Sequence, residues 1–295
     1  MDRSLALVSV EWLSQRLGEP ALRVVDVRWF LPSTGRSGFA EFKEGHIPRA
    51  TFADLDRDLS DPHARSGGRH PLPSPEVFAK NLQALGIGPT THVVAYDDSV
   101  GSIAARLWWM LRQIGHERSS ILDGGIGAWR AAGLQLEVGD GVQPTPSTYP
   151  AAQYGAFGAV ASWEDVIPAI ERGALLFDAR APERFDGSSE PIDPRAGHIP
   201  GARNLPFLGN MVQSPSGVSV FMSPDALRKR FEGAGAKDGV PVMLSCGSGV
   251  TACHNALAMY LAGFDSPTVY IGSWSEWSTR KDLPIEIGAG GSGRG

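Results

Sequence analysis

A chain of 295 residues with 42% apolar and 20% charged side chains is long enough for two ordinary globular domains, and it is too well mixed to be disordered or fibrous. Its formal net charge of −5 offers no basic footprint for nucleic acid, and its two cysteines, Cys246 and Cys253, are too few for a disulfide framework or a zinc site. No apolar run reaches the roughly 18 residues of a membrane span and the start "MDRSLALVSVEW" lacks a signal-peptide core, so the reading is a cytoplasmic protein without membrane or nucleic-acid partners.

Short β-branched runs alternate with helical patterns along the chain. The first half predicts strands over 23–27 and 92–96 and helices over 76–85 and 103–114. The segment "EVGDGVQPTPSTYPAAQYGAFGA", rich in Gly, Pro, Ser and Thr, then reads as a surface linker. The second half predicts strands over 175–178 and 240–245 and helices over 224–233 and 251–262, before a closing "GAGGSGRG" that has nothing to bury. This alternation predicts α/β domains, each a mostly parallel sheet flanked by helices.

The two halves resemble each other. "VVDVRW" at Val24 recurs as "LFDARA" at Leu176, and "GHIPRA" at Gly45 recurs as "GHIPGA" at Gly197, both 152 positions on. "SPEVFAKNLQALGI" from Ser74 matches "SPDALRKRFEGAGA" from Ser223 at an offset of 149, and the same offset carries Asp97 onto Cys246. An ordered series of matches with slowly drifting offsets implies a duplicated domain. The division expected is a first domain over 1–138, a linker over 139–158, a second domain over 159–285 and a flexible tail over 286–295.

Sites in parallel α/β sheets form where a strand's carboxyl end turns into the next helix. Cys246 lies at such a turn, in "MLSCGSGVTAC". Gly247 and Gly249 are expected to take positive φ and turn amide hydrogens inward, with Thr251 opening a helix whose positive end faces the loop, a nest that favours the ionised sulfur. Cys253 lies two helical turns on, about 10 Å away and beyond disulfide reach, and reads as a buried helix-face thiol. His46 and His198, like Asp26 and Asp178, recur in both halves although only one half has the cysteine, which assigns them to architecture. Trp108 and Trp109 fit an apolar helix face; packing is the favoured role for Trp274 and Trp277, with contact to an acceptor left open.

"CGSGVTAC", preceded by the paired "GHIP" segments and followed by "GSWSEW", resembles the tandem-domain sulfurtransferases of the rhodanese superfamily, nearest their 3-mercaptopyruvate branch, over about 8–281. The resemblance implies a catalytic second domain and a first domain whose cysteine has been lost, with Asp97 in its place. It implies transfer of sulfane sulfur from a small-molecule donor through a Cys246 persulfide to a thiol such as thioredoxin or glutathione, or to cyanide, with no metal or organic cofactor. The pair Gly247 and Ser248 matches the 3-mercaptopyruvate enzymes; thiosulfate-preferring members have basic residues there. Gly247, Gly249, Val250 and Thr251 would form the substrate-binding loop. Arg184 of "ERFDG" matches the family's substrate-binding arginine. A second arginine is expected just before "GHIPG", where the shorter "EPIDPRAGHIPG" places Ile192 and Asp193 near its position and offers Arg195 instead. Ser248, His70 and Asp61 match a serine, histidine and aspartate that act on the substrate carbonyl, with His63 a competitor for the histidine. A thiosulfate:cyanide sulfurtransferase and a non-catalytic sulfur-binding scaffold are the alternatives. A cysteine phosphatase would need an arginine where Ala252 stands.

Overall fold

Runs such as "HVVAY" and "VMLS" are apolar on both faces, which suits strands covered by helices on either side of a parallel sheet. The computed structural model, which describes residues 3–150 and 152–289, has that arrangement twice. The first half runs β1 (Leu7–Val8), α1 (Val10–Ser14), β2 (Leu22–Asp26), α2 (Gly38–Glu44), β3 (Thr51–Phe52), α3 (Pro75–Ala84), β4 (His92–Tyr96), α4 (Ala104–Gln113), β5 (Ser119–Leu122) and α5 (Gly125–Ala131). The second runs β6 (Val160–Ala161), α6 (Trp163–Glu171), β7 (Leu175–Asp178), α7 (Pro182–Phe185), β8 (Ala202–Asn204), β9 (Met211–Gln213), β10 (Ser219–Phe221), α8 (Pro224–Gly233), β11 (Val242–Ser245), α9 (Thr251–Leu261), β12 (Thr268–Tyr270) and α10 (Ser273–Trp277).

Each half forms a parallel five-stranded sheet, in the orders β1-β5-β4-β2-β3 and β6-β12-β11-β7-β8, while β9 and β10 pair as an antiparallel hairpin. The α/β architecture and the repeat are therefore as expected, and the anticipated strands and helices differ from those observed by no more than two residues at an end. Helices α3 and α8 start alike: Ser74 and Ser223 cap them by accepting from the amides of Val77 and Ala226, with proline at the first helical position.

The chain forms two compact units that exchange segments. One comprises the chain up to Asp61, Pro73–Phe157 and the hairpin Met211–Phe221; the other comprises Pro62–Leu72, Gly158–Asn210 and the chain from Met222. Hydrogen bonds explain the exchange. The Phe221 amide donates to Asp123 Oδ1 at 3.0 Å within the first unit, and the Gly67 amide donates to Glu276 Oε1 at 3.1 Å within the second. The stretch anticipated as a linker is anchored to the first unit: Val142 donates to the Ala50 carbonyl and Ser147 to that of Gln83, and Tyr149 and Phe157 are buried. Its two aromatic anchors outweigh its loop-like composition. Within the stretch anticipated as a flexible tail, Glu286 and His198 exchange backbone hydrogen bonds at 2.9 Å and Gly288 donates to the Asp186 carbonyl at 2.8 Å; its residues 290–295 lie outside the described residues.

The duplicated "DVR" and "DAR" segments build the same buried device in each half. Arg28 binds Asp26 and the Gly45 carbonyl, and Arg180 binds Asp178 and the Gly197 carbonyl, with closest nitrogen–oxygen distances of 2.7 Å to the carboxylates and 2.8 Å to the carbonyls. His46 and His198 stack on Phe42 and Phe185 and meet those residues' carbonyls through Nδ1 at 2.8 Å, an architectural placement in both halves. Among the described residues no helix is long and apolar enough to cross a membrane. Arg28→Ala would remove the ion-pair partner of Asp26 where both side chains are fully buried, so chemical denaturation should record a loss of about 3–5 kcal/mol.

Candidate functional site

The second sheet places β11 in its middle, between β12 and β7. The chain leaves β7 toward β8 on one side and β11 toward β12 on the other. At such a switch point the loops at the strands' carboxyl ends diverge and leave a crevice. Cys246 follows β11 directly, and Arg184 sits on α7, which follows β7.

Cys246 is 1% exposed. Its amide donates to Ser273 Oγ at 3.0 Å, and its sulfur accepts the Gly249 amide at 3.1 Å. The carbonyls of Cys246 and Gly247 accept the amides of Trp274 and Ser275 at 2.9 and 2.8 Å, so α10 clamps the loop. Ser273 does its part at φ 50, a left-handed conformation that a serine adopts only when its surroundings hold it there; its hydroxyl lies 4.0 Å from the Cys246 sulfur. Gly249 has φ +75, and a β-carbon there would sit 2.4 Å from the Ile271 carbonyl oxygen. Gly247, expected in the same conformation, is not left-handed. Its missing side chain makes room instead for guanidinium groups, since a β-carbon would lie 3.2 Å from Arg184 Nη1 and 3.6 Å from Arg69 Nη2. Val250 is buried and Thr251 opens α9.

In the first half the equivalent loop carries its own anion. Asp97 Oδ1 accepts the amides of Ser99 and Gly101, and Oδ2 those of Ile103 and Ala104, at 2.8–2.9 Å. Burial pushes the Asp97 carboxyl above its usual range, and the four amides pull the other way. Val100, the counterpart of Gly249, has φ 55. The ring of amides expected around Cys246 is thus fully drawn around Asp97, whose carboxylate extends one bond further than a thiol.

Of the catalytic residues expected, Ser248 and His70 join Cys246 in the second unit, with His70 Nδ1 2.8 Å from Ser248 Oγ and both side chains buried. Asp61 belongs to the first unit and is half-buried; His63 is exposed. Arg184 grips Glu190 through Nε and Nη2 and reaches Asp193 Oδ2 at 2.8 Å. Arg195 requires correction. Its Nε, Nη1 and Nη2 donate to the carbonyls of Ser278, Leu283, Trp277 and Arg280, so it knits the end of α10 and the chain after it together. Trp274 and Trp277 are buried, their ring nitrogens bonded to the carbonyls of Arg195 and Pro284, which assigns them to packing. Cys253 is a fully buried thiol outside any disulfide, and it donates to the Gly249 carbonyl at 3.2 Å.

Sequence reasoning passed over Arg69, Ser273, Ser275, Glu276 and Glu190. Ser273 was findable, because "LDGGIGAW" from Leu122 and "YIGSWSEW" from Tyr270 repeat at an offset of 148 and set it opposite Gly125, itself at φ 55. Arg69 adjoins His70 but carries no motif of its own.

A family model described as the rhodanese-like domain matches residues 9–132 and 162–280. The chain belongs to the rhodanese family. Both matched stretches are rhodanese-like domains, and the second contains the Cys246 loop. A probable 3-mercaptopyruvate sulfurtransferase of Pseudomonas aeruginosa is 43% identical over 97% of this chain and 99% of its own length. The human 3-mercaptopyruvate sulfurtransferase is 39% identical over 98% of this chain and 97% of its own. The crystal structure of SseA from Escherichia coli, described with the rhodanese fold and mechanism of 3-mercaptopyruvate sulfotransferases, superposes with a TM-score of 0.79 at 35% identity, covering 92% of this chain and 99% of its own.

Gly249→Ala would force a β-carbon into the Ile271 carbonyl at a strained φ; it should destabilise the protein by on the order of 1–3 kcal/mol in thermal denaturation and lower sulfur transfer at least about tenfold.

Proposed function

We propose that this protein moves a sulfur atom from 3-mercaptopyruvate to a thiol acceptor such as thioredoxin or glutathione, or to cyanide, through a persulfide on Cys246. The observation that carries this reading is the Cys246 sulfur held by the Gly249 amide in a loop whose counterpart surrounds a carboxylate with four amides. A persulfide extends about 2 Å beyond Sγ, much as the Asp97 oxygens extend beyond its γ-carbon, so an outer sulfur would meet the same ring of donors.

In the first step the Cys246 thiolate attacks the donor's sulfur. The Sγ–S bond forms, the bond from sulfur to the donor's methylene carbon breaks, and its electron pair passes into the enolate of pyruvate. A proton then moves to that carbon, releasing pyruvate. Negative charge collects on the keto oxygen during this step, and Ser248 is the hydroxyl assigned to it: in the tautomer whose proton sits on His70 Nδ1, 2.8 Å from Ser248 Oγ, the histidine donates and the serine turns its own proton to the carbonyl. In the second step an acceptor thiolate or cyanide attacks the outer sulfur, the S–S bond breaks, and the Cys246 thiolate returns. The cycle balances without an oxidant or an organic cofactor.

Thiosulfate as donor is the second reading, favoured by the two guanidinium groups beside Gly247. Glu190 and Asp193, both nearly fully buried, offset those charges and weaken the pull on a dianion. Kinetics on both donors separate the readings. Cys246→Ser should abolish transfer from either. Ser248→Ala should lower kcat with 3-mercaptopyruvate about 10- to 100-fold, yet change turnover of thiosulfate, which has no carbonyl, by less than about threefold. Transfer surviving in Cys246→Ser would overturn the reading.

A further inference from the structure

We propose that Arg69, and not Arg195, supplies the second guanidinium that together with Arg184 holds the donor's carboxylate above Gly247, an inference that rests on the 3-mercaptopyruvate reading. The geometry comes from two carboxylates that orient both forks. Asp193 accepts Arg69 Nη1 on Oδ1 at 2.9 Å and Arg184 Nη2 on Oδ2 at 2.8 Å. Glu190 accepts Arg184 Nε and Nη2. The outer nitrogens are thereby taken, and Arg184 Nη1 and Arg69 Nη2 turn toward the loop beside the nucleophile, within 3.2 and 3.6 Å of where a β-carbon on Gly247 would be. Two N–H donors from two planar forks on one face suit a single carboxylate.

The segment that carries Arg69 is fastened in place. The Arg69 amide donates to Ser275 Oγ at 2.9 Å and the Gly67 amide to Glu276 Oε1 at 3.1 Å. Gly68 lies so close to α10 that a β-carbon would be 2.4 Å from the Gly272 carbonyl oxygen. The next residue, His70, meets Ser248. One stretch of chain therefore brings a carboxylate donor and the carbonyl-directed pair to the cysteine together. Both arginines remain reachable, with side chains 30% and 17% exposed. Because Glu190 and Asp193 balance the two positive charges, the subsite offers directed hydrogen bonds with little net charge, which favours a monocarboxylate over thiosulfate.

The test compares 3-mercaptopyruvate with a mercaptoketone that keeps the thiol and carbonyl but lacks the carboxylate, using wild type, Arg69→Met and Arg69→Lys, each checked by circular dichroism. Arg69→Met should lower kcat/KM for 3-mercaptopyruvate about 10- to 100-fold, mainly through KM, and change that for the mercaptoketone by less than about threefold. Arg69→Lys, which keeps the charge but loses the fork, should fall between. Equal losses on both donors, or a 3-mercaptopyruvate KM within about twofold of wild type in Arg69→Met, would overturn the assignment while transfer by wild type leaves the broader reading standing. A wild-type protein that takes sulfur from thiosulfate but from neither carbonyl donor would overturn the broader reading and this inference with it.

Discussion

A loop that offers backbone amides to one side chain at the end of a central strand, four of them to Asp97 and that of Gly249 to the Cys246 sulfur, is the constraint around which the molecule is arranged. In both halves the chain leaves the middle strand, passes left-handed residues (Val100 and Gly101 in the first, Gly249 in the second), and starts a helix at the loop's end. One half fills the resulting pocket with the Asp97 carboxyl, which accepts four of these amides. The other sets a cysteine there, whose sulfur can be extended and shortened by one atom. The same backbone serves as ballast in one copy and as a reaction centre in the other.

Everything near Cys246 keeps that loop rigid or aims a group at it. Ser273 bears a strained backbone so that its hydroxyl can take the Cys246 amide, and α10 holds the carbonyls of Cys246 and Gly247. Glu276 accepts both the Gly67 amide and the Tyr270 hydroxyl, joining the 62–72 segment to the sheet's β12 end. Glu190 and Asp193 do for the guanidinium groups what α10 does for the loop: they fix orientation through nearly buried carboxylates. A centre assembled from such mutually supported groups loses little to reorganisation when charge moves between sulfur and carbon.

Much of this was legible beforehand. The repeat, the strand-helix alternation and the placement of Cys246 follow from local patterns, and so does the reading of Cys253 as a buried helix thiol. Arg195 and Arg69 mark where local pattern fails. Arg195 lies at nearly the anticipated place in the chain, yet four carbonyls from the turn after α10 compete for its donors, and those contacts span more than 80 residues. Arg69 reaches the site because residues 62–72 join the second unit, an exchange set by long-range hydrogen bonds that no periodicity records. The anchoring of the connecting stretch is hidden for a related reason, since composition weighs its prolines and glycines but not the burial of Tyr149 and Phe157.

The most direct test is the intact mass of the protein before and after incubation with 3-mercaptopyruvate, followed by addition of a thiol. The account predicts a gain of one sulfur atom, located by peptide mapping at Cys246 and removed by the thiol. An unchanged mass, or a sulfur atom retained when Cys246 is replaced by serine, would contradict it.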